Sequence, residues 1–176
     1  IKVASACLIA GMLYLLCGIT WIVVTNSLFG WEGTKTSIQL SFSVTTLLPY
    51  NVGQLQWANL LGGFLLFLSS ICFTLLLSSL AKSNVSALAL ALLFVLLPFL
   101  VYTVMPGQLG DWLQTLLPGA GIGLGNSLLY AMTNFDFLHL GSASFWNTDV
   151  MLMLALVKIP LFIMFTIVVY DRKRIR

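Results

Sequence analysis

Charge is what this 176-residue sequence has least of. Lys, Arg, Asp and Glu make up 7% of it, against about 25% in an ordinary soluble domain. So few charged groups cannot cover the outside of a soluble fold. Hydrophobic residues reach 60% and the mean hydropathy is +1.04. Together these exclude a soluble globular protein, a disordered chain and a nucleic-acid-binding domain, and they make a bilayer the solvent. Histidine is almost missing too. His139 stands alone, so HExxH and multi-histidine metal sites are impossible, and a single loop histidine near Asp136 reads as solvated or locally bonded. Cys7, Cys17 and Cys72 are odd in number, lie inside apolar runs and lack metal-ligand spacing. They read as buried thiols rather than a disulfide framework. No G-x-S-x-G occurs, and no Asp or Glu sits in the middle of a long apolar run. The second absence weighs against a proton- or sodium-coupled transporter. No catalytic, cofactor or metal site is expected. The first apolar run is too long for a signal peptide and no cleavage site follows it; with Ile at position 1, the chain reads as a fragment of a longer protein.

What the sequence has instead is long apolar runs. Four of them, about residues 3–25, 57–80, 85–105 and 150–170, are each long enough to cross a hydrocarbon core of about 30 Å at about 1.5 Å per residue. Each must be helical, because lipid offers no partners for open backbone groups. The expected fold class is therefore an all-α integral membrane protein, a single domain of four transmembrane helices with short external helices. The tail DRKRIR marks the cytoplasmic side. Alternation then places Lys2 and Lys82 there as well, leaves Lys35 alone outside, and puts Glu32, Asp111, Asp136 and Asp149 outside.

The links between the spans are unequal. Lys82-Ser83-Asn84 is so short that the second and third spans must be antiparallel neighbours. Residues 106–149 are long and still apolar, unlike a solvated loop. Within them Leu109, Trp112, Leu113, Leu116 and Leu117 recur at helical spacing, with Gly110, Asp111, Gln114 and Thr115 on the other face, and Pro118 closes the run. This helix should lie at the outer interface or dip into the protein. A glycine-rich break, GAGIGLGN, and a second short helix over 127–132 complete the pattern of a re-entrant hairpin, which is tolerated at membrane depth only under cover of protein or a wet cavity. The glycine string is not a nucleotide loop. No strand precedes it and no Lys-Ser/Thr follows.

Few residues stand out as functional candidates. Lys158 is the one charge deep in a span, which makes it a functional candidate. It either snorkels to the outer interface, pairs with an outer carboxylate such as Asp136, or meets cargo. Pro98 and Pro160 lie inside the third and fourth spans as candidate kinks. Ala4, Cys7, Gly11, Tyr14, Gly18, Trp21 and Thr25 repeat at a 3–4 spacing in the first span. Gly63, Ser70, Thr74 and Ser78 share a face of the second. Small and hydroxyl residues suit close helix packing, and Ser70, Thr74, Ser78 and Lys158 are also candidates for the lining of a pathway.

Three segments, LPYNVGQLQWANLLGGFLLFLSSICFTLLLSSLAKSN, ALALALLFVLLPFL and LVKIPLFIMFTIVVYDRKR, together with the layout, resemble the membrane permeases of type-2 ATP-binding-cassette exporters of Gram-positive bacteria. Nearly the whole chain matches the last four of that family's six spans. The resemblance implies a multi-pass permease in the cell membrane, working as a dimer with a second permease copy or homologue. A separate cytoplasmic ATPase would bind the ATP, so the chain itself carries no cofactor and is not an enzyme. The segment that would contact the ATPase, between the second and third spans of the family, is not in this sequence. Rival readings are a structural or assembly subunit of a membrane complex, and a secondary transporter or channel without an ATPase. The cargo is not legible.

Overall fold

A computed structural model describes residues 2–38, 50–122, 127–134 and 136–174. It is an all-α membrane fold. Four helices are long and apolar enough to cross a bilayer: α1 (Lys2–Phe29), α2 (Val52–Leu80), α3 (Asn84–Val104) and α6 (Asn147–Arg174). Between α3 and α6 lie two short helices, α4 (Gln108–Leu116) and α5 (Leu128–Thr133). A two-stranded antiparallel hairpin follows them, β1 (Phe137–Leu140) and β2 (Ala143–Trp146), with Phe137 opposite Trp146 and Leu140 opposite Ala143. The strands are absent from the sequence-based expectation. They turn at Gly141, whose φ of 62° suits glycine.

The helix ends follow local chemistry. Asn51 caps α2 in a reciprocal box with Gln54, at 2.8 and 3.0 Å, so α2 begins one turn or more before the apolar run itself. Ser83 and Ser86 form the same device at the start of α3. Ser127 caps α5 by accepting from the Tyr130 backbone N–H at 3.1 Å. At the other extreme α6 runs on from β2 without a break, because the Asn147 backbone N–H donates to Asp136 O at 2.8 Å.

Helix α2 is the centre of the bundle. It packs most extensively on α6, and also on α1 and α3. The α1 contact uses the small-residue stripe: the Cys7 and Cys72 sulfurs lie 3.9 Å apart, and side chains at Gly18 and Gly63 would collide with Leu60 and Tyr14. Tyr14 also stacks on Phe67 at 5.0 Å between ring centroids. On the other side Phe73 meets Phe94 of α3 at 4.9 Å and Phe162 of α6 at 5.1 Å. The buried apolar core lies toward the hairpin end, where Leu55 and Leu66 of α2 meet Leu128, Ala131 and Met132 of α5 and Met151 and Ala155 of α6. Elsewhere α1, α3 and α6 turn large apolar side chains outward, among them Leu8, Leu16, Leu92, Leu96, Met153 and Val157. In lipid such exposure carries no hydrophobic penalty.

Candidate functional site: the re-entrant hairpin and the α2 groove

Helix α4 is amphipathic in the inverted sense. Its polar face is buried, with Gln114 3% and Thr115 0% exposed, while Leu109 is 66% and Leu116 49% exposed. A helix on the rim of a soluble protein would do the opposite. The inversion is what a bilayer demands, because apolar side chains can face lipid and polar ones cannot. The helix descends beside α3. A side chain at Gly110 would overlap the Met105 carbonyl, and a Cβ at Gly119 would lie 2.8 Å from both Phe94 O and Val95 Cα. Val104 and Phe94 are separated by roughly 15 Å of helix at about 1.5 Å per residue, half the depth of a hydrocarbon core of about 30 Å. The chain turns there through Gly121, whose φ of 79° suits glycine. It returns through α5, with the Leu128 N–H donating to Gly121 O at 3.0 Å. Helix, glycine break and helix thus form the expected re-entrant hairpin. Residues 123–126 of GAGIGLGN lie outside the described residues.

A helix that ends at mid-depth leaves carbonyls without partners, each costing several kcal/mol in hydrocarbon. Side chains from the spanning helices donate to three carbonyls at this end, one of which, Leu117 O, also accepts from the Ala120 N–H at 3.2 Å. The Lys158 ammonium donates to Leu117 O at 3.1 Å and Thr115 O at 3.4 Å. The Ser70 hydroxyl donates to Pro118 O at 2.9 Å. A cation at the negative end of a helix is also electrostatically favourable. Lys158 therefore neither snorkels to the interface nor pairs with Asp136, whose carboxylate accepts from Asn147 Nδ2. Pro98 contributes from α3. Lacking an N–H, it leaves Phe94 O without its helical donor, and this is the carbonyl that Gly119 approaches. Lys158, Ser70 and Pro98 thus converge on one hairpin tip. Pro160 lies exposed within a continuous α6, and Ser78 is exposed on α2. Thr74 bonds the Ser70 carbonyl on its own helix at 2.9 Å.

Above the tip, α4 is tied down by a polar network that sequence reading did not single out. Thr115 Oγ1 donates to Asn147 Oδ1 at 2.9 Å and lies 2.8 Å from Asp111 O. Gln114 Nε2 donates to Asp111 Oδ1 at 3.2 Å, and Trp112 Nε1 donates to His139 O at 2.9 Å. His139 is locally bonded, its Nδ1 lying 2.8 Å from Ser144 Oγ. Burial, and secondarily the charge of Asp136, hold the Asp111 carboxyl above the usual carboxylate range. The sequence signal for the network is the polar half of the α4 stripe, which reads as a solvated face until the helix is placed in the membrane.

Along α2, beside the hairpin, runs a groove of three adjoining cavities. The first, of about 600 Å³, lies between α1 and α2 beside Trp21, Gln56 and Asn59. The second, about 330 Å³, shares Tyr14, Asn59 and Leu129 with it and reaches Gly63 and Gly121. The third, about 240 Å³, shares Phe67 and Ile122 with the second and reaches Ser70 and Thr74. On α2 the lining positions Val52, Gln56, Asn59, Gly63, Phe67, Ser70 and Thr74 form one stripe at 3–4 spacing, roughly 33 Å long. Gln56 exchanges side-chain hydrogen bonds with Asn26 at 3.0 and 3.2 Å. No group of three or more His, Cys, Asp or Glu side chains able to hold a metal occurs among the described residues. No family model matches the chain, and neither a curated protein nor a solved structure matches it.

Proposed function

We propose that the chain is the membrane-spanning permease part of an ATP-driven exporter, with its tail and Lys82 in the cytoplasm and the re-entrant hairpin entering from the outside. The observation that carries this reading is the α2 groove. It follows one helix face through the depth of a bilayer, carries amide, hydroxyl and glycine positions among apolar walls, and passes the hairpin tip where Ser70 donates to Pro118 O. A path of that kind suits an amphipathic cargo, and a hairpin held by a few polar bonds suits an element that shifts during a transport cycle. The resemblance to type-2 exporter permeases supplies the energy source, an ATPase on a separate chain, and a second permease copy facing this one. The scarcity of carboxylates within the spans speaks against ion coupling.

The test is co-purification of the whole reading frame with a P-loop ATPase encoded beside it, followed by ATP-driven efflux from proteoliposomes. The probes are a fluorescent phospholipid, a labelled cationic peptide and a fluorescent organic cation. The expected result is a stable complex and ATP-dependent movement of at least one probe. Asn59→Trp, which fills the junction of the first two cavities, should abolish movement while leaving the complex assembled. Movement without ATP would favour a channel or secondary transporter, and a complex that moves nothing would favour an assembly subunit. Undiminished transport by Asn59→Trp would remove the groove from the pathway.

A further inference from the structure

Most amide and hydroxyl side chains along the α2 groove are already bonded within the protein. Gln56 is tied to Asn26, Ser70 to Pro118 O and Thr74 to Ser70 O, and Ser127 caps α5. Two are not. The Asn59 amide and the Tyr14 hydroxyl have no hydrogen-bond partner among the described residues, yet both line the first and the second cavity. They stand close together. The Tyr14 hydroxyl occupies the space that a Cβ at Gly63 would take. Asn59 is one helical turn from Gly63 on the same face, about 5–6 Å between Cβ positions. They are also deep. Tyr14 is about 18 Å from the Lys2 end of α1 and about 22 Å from the Phe29 end at about 1.5 Å per residue, so lipid tails alone would leave both groups unpaired. Water does not meet the demand by itself. The walls beside the pair are apolar, with Ile22, Leu55, Leu60 and Leu129 among them, and a cavity of about 600 Å³ with so few free polar groups gives a water cluster too few partners.

We propose that Asn59 and Tyr14 hold the head of an uncharged amphiphile, a long alkyl chain bearing a hydroxyl or amide group, drawn from the bilayer into the gap between α1 and α2. Asn59 offers both donors and an acceptor and Tyr14 a hydroxyl, a set that a hydroxyl or amide head matches. The alkyl chain lies against Ile22, Leu55 and Leu60 in the largest cavity. No Lys, Arg, His, Asp or Glu lines any of the three cavities. A charged head would therefore stand at mid-depth without a counter-charge, which is costly in hydrocarbon. A head without charge reaches that depth far more easily and finds two hydrogen-bonding groups there. The site thus selects its ligand from the surrounding lipids by the head and not by the chain. This inference goes beyond the transport reading. It concerns a molecule bound at rest and needs neither ATP nor an ATPase.

The experiment uses the purified chain in phosphatidylcholine nanodiscs. The probe is a monoacylglycerol with a photoreactive diazirine in its chain, and labelled positions are mapped by mass spectrometry. Saturable labelling of α1 and α2 where they face each other around Tyr14 and Asn59 is expected. Unlabelled monoacylglycerol should displace the probe, and an alkyl phosphate and an alkyl trimethylammonium of the same chain length should do so at least about tenfold less well. Asn59→Leu and Tyr14→Phe should each weaken binding by about two- to tenfold, the worth of one hydrogen bond. Ser78→Ala, on an exposed part of α2 outside the groove, should leave it unchanged. If Asn59→Leu fails to fold, Tyr14→Phe decides, since it removes an oxygen that no described group of the protein uses. Labelling that never saturates or spreads over the lipid-facing helices, displacement by the charged analogues as strong as by the uncharged one, or undiminished binding in Tyr14→Phe would overturn the proposal. Because the readout is binding without ATP, a failure of ATP-driven efflux leaves this result standing, and a failure here leaves the efflux test standing.

Discussion

Replacing Lys158 with methionine separates two energies that act in opposite directions. A charge at the centre of a spanning helix costs about 2.5–3.5 kcal/mol on insertion scales, so methionine should insert α6 at least as well as lysine. The same substitution removes the donor to Leu117 O and Thr115 O. Hydrogen bonds to charged groups contribute about 1.5–3 kcal/mol; Leu117 O would keep the Ala120 N–H at 3.2 Å, while Thr115 O would have no water to replace the lysine. The expected outcome is thus local: expression and overall folding unchanged, but a hairpin tip that opens about 10 to 150 times more often, since about 1.4 kcal/mol is a factor of ten. Ala120 is 3% exposed within that tip, and a cysteine there in a cysteine-free background reports opening through its rate of thiol modification in nanodiscs. Lys158→Met should raise the rate by one to two orders of magnitude. Lys158→Arg, which keeps charge and donors, should raise it far less. An unchanged rate in Lys158→Met would refute the view that this lysine holds the hairpin, and a general loss of folded protein would show that it supports the whole bundle instead.

Other outcomes are expected. Single cysteines at Ser83 and Ser142 should be protected and labelled, respectively, by an impermeant thiol reagent in intact cells; the reverse pattern would invert the topology and disprove the basic-residue argument. Gly119→Val should cost at least 1–3 kcal/mol, because its side chain meets the backbone at Phe94 and Val95 rather than movable groups. Gly33→Ala, with open space around it, is the control, and equal melting temperatures would show that the α3–α4 approach is looser than described. Stability should fall as pH rises through the raised Asp111 value. The folded state holds that proton more tightly than the unfolded state, so the contribution is full below the ordinary carboxylate value and lost above the raised one. Asp111→Asn should flatten that slope, and a denaturation series across pH that is equally steep in both proteins would argue against it. The chain alone should not bind ATP, since GAGIGLGN lacks the lysine of a phosphate loop; saturable binding lost in Gly123→Val would contradict this.

The spanning helices were legible because their signal is redundant. Each apolar run is long enough that a few misplaced residues change nothing, and lipid leaves helix as the only solution. Their ends were less legible. The Asn51–Gln54 box carries α2 back to Val52, and α6 starts at Asn147 rather than after it. Both depend on polar residues outside the hydropathy signal. The β1–β2 strands were missed because four-residue strands flanked by glycine and serine carry almost no periodicity. The re-entrant pattern, in contrast, could be read from the order of helix, glycines and helix, since a solvated loop would not stay apolar for so long.

Lys158 shows where sequence reading stops and why. From sequence, it snorkels, pairs with an outer carboxylate such as Asp136, or meets cargo. What it meets is backbone. A carbonyl is a partner that any residue can supply, so its identity leaves no mark in the sequence; only the place where a helix ends at mid-depth exposes it. The same holds for Ser70 and Pro118 O, and for the Phe94 carbonyl that Pro98 leaves without a helical donor and Gly119 approaches. Residues read separately as a buried charge, a packing hydroxyl, a kink and a tight turn are thus one device. Each answers the same physical demand, the unpaired backbone of a helix that enters the membrane and turns back. A substitution at any of them should therefore first alter how firmly the hairpin is held, and affect the lipid-facing helices only secondarily.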